Sequence, residues 1–289
     1  MRVAAVQMES IPGRPAENLA SAEERIRSAA GEGATLVALP ECALNGYDIE
    51  WFRTGAPGSA PYPGQIFDHL ARLSGELGIA IAIADLEIGH GGLYDTGFIF
   101  DGGNLVSRHR KTTPTDREVA AGILAGNAPA APISLSGSSV MSAPMVCYEY
   151  AFPEIALHLA EAGAQLLVVS SAIRRGFEYL IPVRLRARAQ DNACYVVMAN
   201  AVGSASCGRS VIVNPLGDII AEASGSVAET IVADIDETLT WSARPNAVPS
   251  IEEHRALQLT LQRGGADADT VGADGDFFIT PPSSTTRFE

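Results

Sequence analysis

In Ala143–Ala172, APMVCYEYAFPEIALHLAEAGAQLLVVSSA, two short apolar runs enclose one helical pattern. The first run closes on Cys147, and acids and aromatics follow as far as Pro153. Pro153 and Glu154 suit the first turn of a helix reaching to about Ala162. The proline ring fixes φ, and the carboxylate meets the positive end of the helix. AQLLVVSSA then reads as a second strand, too short and too apolar for a surface helix.

The same alternation extends outward in both directions. RVAAVQM near the start reads as a buried strand, and Pro15 to about Gly31 as a helix striped by Leu19, Ala22 and Ile26. Thr35–Leu39 (TLVAL) is the next strand, expected to stop at Pro40 because proline cannot donate to a central ladder. A helix over Gln65–Leu77, a strand over Ile79–Asp85 and a hairpin of LYDTGFIF and LVSRHRK around DGGN follow. Beyond Ala172 come a helix over Pro182–Asn192 and the strand CYVVMAN, and RSVIVNPLGDII and ETIVADID complete the regular part. Strands apolar throughout their length belong in sheets covered on both faces, so the pattern is α/β. From about Ala243 it fades, leaving 1–242 as the folded domain and 243–289 as a tail. That tail, rich in Gly, Asp, Ser and Pro, is expected to be irregular or packed on the domain or on a partner subunit.

The 289 residues carry 34 acidic and 20 basic side chains, a net charge of −14. Such a field repels phosphate backbones and anionic lipid, which argues against nucleic-acid and membrane partners. The start, MRVAAVQMESIPGRP, has too short an apolar run for a signal-peptide core or a membrane span, so the expected setting is the cytoplasm. Cys42, Cys147, Cys194 and Cys207 form no CxxC pair, and the five histidines show no ligand spacing. No metal or cofactor is expected.

Three polar residues end strands, where α/β folds place ligands: Glu41 after TLVALP, Lys111 after LVSRHR and Cys147 after APMV. Singly they read as a solvated acid, a solvated base and a small core residue. Together they would form a nucleophilic site. A thiol attacks as thiolate, a buried glutamate can take its proton, and an ammonium can hold an oxyanion. His109, two residues before Lys111, offers Cys147 an alternative base.

The segments LVALPECALNGY, SRHRKTTPTDRE, PMVCYEYAFPEIALHLAEAGAQLLVVSSA, RARAQDNACYVVMANAVG and GRSVIVNPLGDIIAEA, in this order, resemble the signature blocks of the nitrilase superfamily, the carbon–nitrogen hydrolases. The resemblance spans roughly residues 1–236 and implies a four-layer α-β-β-α sandwich, paired in homodimers or larger homo-oligomers. It makes Glu41 the general base, Lys111 the oxyanion-stabilising lysine, Cys147 the nucleophile and Glu118 a second glutamate near the lysine. The backbone N–H of Tyr148 would share the oxyanion. The implied activity is hydrolysis of a small-molecule amide through a thioester, with no cofactor.

Departures from the family pattern bear on substrate. Tyr148 stands where nitrilases commonly carry tryptophan, which disfavours nitriles. N-carbamoyl and ω-amido hydrolases often place a carboxylate-gripping arginine three or four residues after the cysteine; here those positions are Tyr150 and Ala151. A neutral amide is therefore expected, with Tyr47, Tyr150, Ala172 and Arg174 as candidate substrate contacts and Arg174 or Arg175 as a replacement clamp. Arg184 and Arg188 share a helix face and read as ion-pair formers. Carbamoyl or nitrile hydrolysis, acyl transfer to an amine and a non-enzymatic binding role are the alternatives.

Overall fold

Strands that are apolar at every position bury both faces, and each face here finds a different partner. In β1 (Arg2–Gln7), Val3 and Ala5 turn to one core while Ala4 and Val6 turn to another. β2 (Leu36–Glu41) divides in the same way, Leu36 and Ala38 against Val37 and Leu39. The computed structural model describes residues 1–53 and 64–244. Most of the expected tail, from residue 245 onward, lies outside them.

Two sheets result. The first runs β13 (Glu229–Asp234), β1, β2, β3 (Ala80–Gly89), β4 (Gly92–Asp101), β5 (Asn104–Arg110), with β6 (Ile123–Leu124) also on β4. The second runs β12 (Ile219–Glu222), β11 (Val211–Val213), β10 (Tyr195–Asn200), β9 (Leu166–Ser171), β8 (Met141–Val146), β7 (Ile133–Ser134). Val3, Leu36, Ala80 and Ile99 of the first meet Leu166, Val168, Val197 and Ile212 of the second in a central apolar layer. The outer face of the first sheet packs on α1 (Pro15–Gly31) and α3 (Gly64–Leu77). The outer face of the second packs on α5 (Pro153–Glu161) and α6 (Leu180–Asn192). This is the four-layer α-β-β-α sandwich. No helix among the described residues is long and apolar enough to cross a membrane.

Two expectations are corrected. β2 does not stop at Pro40 but continues to Glu41, with its register against β3 shifting between Ala38 and Glu41. The proline sits at that irregularity, where no ladder bond is required of it. β3 runs four residues beyond Asp85 and forms a long hairpin with β4. Glu87 hides that extension in the sequence; it is buried because Thr96 Oγ1 (2.9 Å), Arg110 (2.7 Å) and Arg108 all reach it. A short helix to which the sequence reading gave no element, α7 (Glu237–Ala243), follows β13 at the end of the expected folded domain. Asp236 caps it through Thr238 N at 2.9 Å.

Candidate active site

Lys111 follows β5, and its ammonium is wholly buried among three carboxylates. Nζ donates to Glu41 Oε1 at 2.7 Å, Glu118 Oε1 at 2.8 Å and Asp95 Oδ2 at 3.1 Å. The backbone fixes it there: its N–H donates to the carbonyl of Asp95 (2.9 Å), and its carbonyl accepts from Gly126 (2.7 Å). Glu118 is aimed by a capping box at the start of α4 (Asp116–Ala120). Its Oε2 accepts from Thr115 N while its own N–H donates to Thr115 Oγ1. That leaves Oε1 for Lys111 and for the hydroxyl of Tyr47 at 2.8 Å.

Three acids around one base cannot all ionise cheaply in a dry site. Burial pushes Glu41 well above the usual carboxylate range, Lys111 opposes this, and Asp95 and Glu118 add to it. Glu118 goes the other way: burial is outweighed by Lys111, Thr115 and Tyr47, so it stays ionised. Lys111 is itself held charged, its own desolvation overcome by Glu41, Asp95, Cys147 and Glu118. The carboxylates of Glu41, Asp95 and Glu118 come close enough together to hold a cation. The lysine ammonium, in contact with each of them, already supplies one.

Cys147 follows β8 and opens a 3₁₀ turn over Cys147–Ala151. Its φ of 39° lies in the left-handed region, a strained conformation for a side-chain-bearing residue, and the turn lifts the thiol off the strand end. Ser171 Oγ donates to its sulfur at 3.2 Å, and the backbone of Ala172 also bonds to it. Both lie at the end of β9, the neighbouring parallel strand. Burial pushes the thiol well up, Glu41 adds to this, and Lys111, Ser171 and Ala172 oppose it. The structure thus gathers Glu41, Lys111, Glu118 and Cys147 at one end of the two sheets.

A cavity of about 440 Å³ opens above Cys147, lined in part by Tyr47, Tyr148, Tyr150 and Arg174. Trp51 and Phe52 pack aside with Cys42. The alternative base is removed: Nε2 of buried His109 donates to Glu149 at 2.9 Å instead of facing Cys147. The Arg184–Arg188 reading is half corrected. Arg188 lies 3.8 Å from Asp191, whereas Arg184 turns to the ring of Tyr150 and the cavity.

Two residues were absent from the sequence reading. Asp95 gives no signal in a strand where acids usually face water. Glu149 accepts from Val146 N, Thr112 N and Thr112 Oγ1, each at 2.8 Å, and from His109. It thereby ties the turn after β8 to the segment that follows Lys111.

The Carbon-nitrogen hydrolase family matches residues 2–244. The omega-amidase NIT2 of Xenopus tropicalis is 34% identical over 239 residues, 76% of this chain and 83% of the relative. The deaminated glutathione amidase of Bos taurus is 31% identical, over 77% of this chain and 73% of its own length. Among solved structures, the amidase from Nesterenkonia sp. superposes with a TM-score of 0.74 at 26% identity, covering 89% of this chain and 96% of that one. One mutant of that amidase carries acrylamide joined by Michael addition at its active site cysteine. With this sandwich and this gathering of residues, the chain belongs to the carbon–nitrogen hydrolases of the nitrilase superfamily, enzymes that cleave carbon–nitrogen bonds other than peptide bonds.

Proposed function

We propose that the chain is a thiol amidohydrolase that cleaves a small-molecule amide through a thioester on Cys147. The observation that carries the reading is the fully buried Lys111 ammonium, 2.7 Å from Glu41 and close enough to Cys147 for each to shift the other's protonation. A buried cation beside a thiol and a carboxylate whose proton affinity is raised by burial is suited to an oxyanion that forms and disappears.

In this mechanism Cys147 Sγ attacks the amide carbon as its proton passes to Glu41. The new C–O⁻ is held by Lys111 Nζ and the backbone N–H of Tyr148. Collapse breaks the C–N bond, and Glu41 returns the proton to the departing ammonia or amine, leaving the acyl group on sulfur. Water then attacks the thioester while Glu41 takes its proton. The C–S bond breaks, the acid leaves, and the proton returns to the thiol. Glu118 stays ionised throughout and holds Lys111 in place. Because burial holds the free thiol protonated, the thiolate forms only as Glu41 accepts the proton, which keeps the resting sulfur unreactive.

The relatives named for amides, and a Nesterenkonia amidase mutant in complex with butyramide, support amides over nitriles. The expected cytoplasmic setting and homo-oligomeric assembly belong to the same proposal. An ammonia-release screen over amides, carbamoyl compounds and nitriles, run beside Cys147→Ala, tests the function. Amide turnover by the parent alone is expected, and equal turnover by Cys147→Ala would overturn it.

A further inference from the structure

The cavity above Cys147 carries charge of the opposite sign to the chain as a whole. The sequence sums to −14, yet the cavity wall holds Arg117, Arg174 and Arg184 against a single acid, Asp116. The three arginines come from separate elements: α4, the loop after β9, and α6. None of them has a carboxylate partner among the described residues, whereas eight other arginines do. Half-buried Arg184 is the telling case, since a guanidinium taken partly out of water ordinarily finds a carboxylate. It finds Tyr150 instead, its Cζ 5.7 Å from the ring centroid, and Arg174 lies 5.6 Å from the ring of Phe177 in the same manner. Aromatic faces hold guanidinium planes in place and leave their N–H edges for a planar anion. The adjoining groove adds Arg175 but also Asp48 and Glu50, so the positive excess is concentrated on the Cys147 side.

From this we infer that the cavity mouth is an anion-binding subsite, and that the preferred substrate is an amide whose far end is a carboxylate held by Arg184 with Arg174 and Arg117. The inference rests on the amidase reading for the amide and on the arginines for the charge. It replaces the neutral substrate expected from Tyr150 and Ala151. The clamp has not been lost; it has moved from the turn after Cys147 to α6, α4 and the loop after β9.

Iodoacetate and iodoacetamide test the site without turnover. Each forms an S–C bond at Cys147 and expels iodide, and they differ only in a carboxylate against an amide. Rates at Cys147 are read by peptide mass, and the iodoacetate-to-iodoacetamide ratio is normalised to that of 2-mercaptoethanol. The normalised ratio is expected to favour iodoacetate by about tenfold at low salt, and to shrink as salt screens the arginines. Arg184→Met, and independently the exposed Arg174→Met, should each lower it by about threefold or more. A normalised ratio near one, a ratio unmoved by both substitutions, or failure of both reagents to reach Cys147 overturns the subsite. A high ratio in a protein that hydrolyses no amide would instead overturn the amidase reading and leave the subsite standing.

Discussion

Glu149→Gln should unsettle the nucleophile without touching it. The carboxylate takes hydrogen bonds from two backbone amides, one hydroxyl and one imidazole, and is fully buried. Burial would raise its pKa, but His109, Thr112 and Val146 hold it below the usual carboxylate range, so it is ionised at neutral pH. Glutamine keeps the shape and loses the charge. Its NH₂ must face either Val146 N–H or Thr112 N–H, leaving a buried donor against a donor. An unsatisfied buried amide costs about 1–3 kcal/mol, and bonds to a charged acceptor exceed neutral ones by about 1 kcal/mol each. With three bonds left to a neutral acceptor, the sum is a loss of about 4–6 kcal/mol, overlapping the range of about 3–5 found when one member of a buried charged pair is removed. Urea unfolding at neutral pH measures it. Because Glu149 joins the turn after β8 to the Thr112 segment, kcat should also fall while KM changes little. A stability loss under about 1 kcal/mol together with unchanged kcat would refute the reasoning, since the bonds would then hold nothing in place.

Lys111→Met leaves three buried carboxylates without a cation. It should cost about 3–5 kcal/mol of stability and lower kcat by about a thousandfold, read by thermal melts and ammonia release. Asp85 is pushed by burial from 3.8 to about 6, although Asn45, Leu44 and Leu86 donate to it. A carboxyl whose pKa is higher folded than unfolded binds more protons when folded. Its contribution is complete below pH 3.8 and lost as pH rises through about 6, a difference of about 3 kcal/mol. Urea midpoints across that window should therefore fall with pH more steeply in the parent than in Asp85→Asn; parallel profiles would contradict this. Gly46, at φ 74°, packs against the backbone of Pro12, where an added Cβ would lie 2.6 Å from two atoms. Gly46→Ala should cost about 2–4 kcal/mol and misplace neighbouring Tyr47, seen as a lower melting temperature with weaker substrate binding.

The α/β class was legible because several strands are continuously apolar and so are covered on both faces. The four-layer sandwich was implied only by the resemblance of the ordered blocks to a known family. Glu41 and Cys147 were legible at the ends of apolar runs and Lys111 at the end of the polar strand LVSRHR, but their shared role was implied by the resemblance of the blocks around them. Pro40 misled because a proline normally ends a ladder, and only the register shows that the ladder is irregular there. Asp95 was invisible for a different reason. Strand alternation says which side chains share a face, but what buries this acid is an ammonium sixteen residues further along the chain. The Thr115–Glu118 spacing was a readable cap signal that would have placed Glu118 on a helix start with one oxygen to spare. Arg184 was assigned to its helix face, but helical spacing cannot name what lies across from that face.

Rapid mixing with a hydrolysable amide, acid quench and peptide mass analysis examine the sulfur directly. A transient gain equal to the acyl group, on the Cys147 peptide alone and released by hydroxylamine, is the expected result. Turnover of that amide with no acyl group ever found on Cys147, under conditions that trap thioesters, would contradict the mechanism.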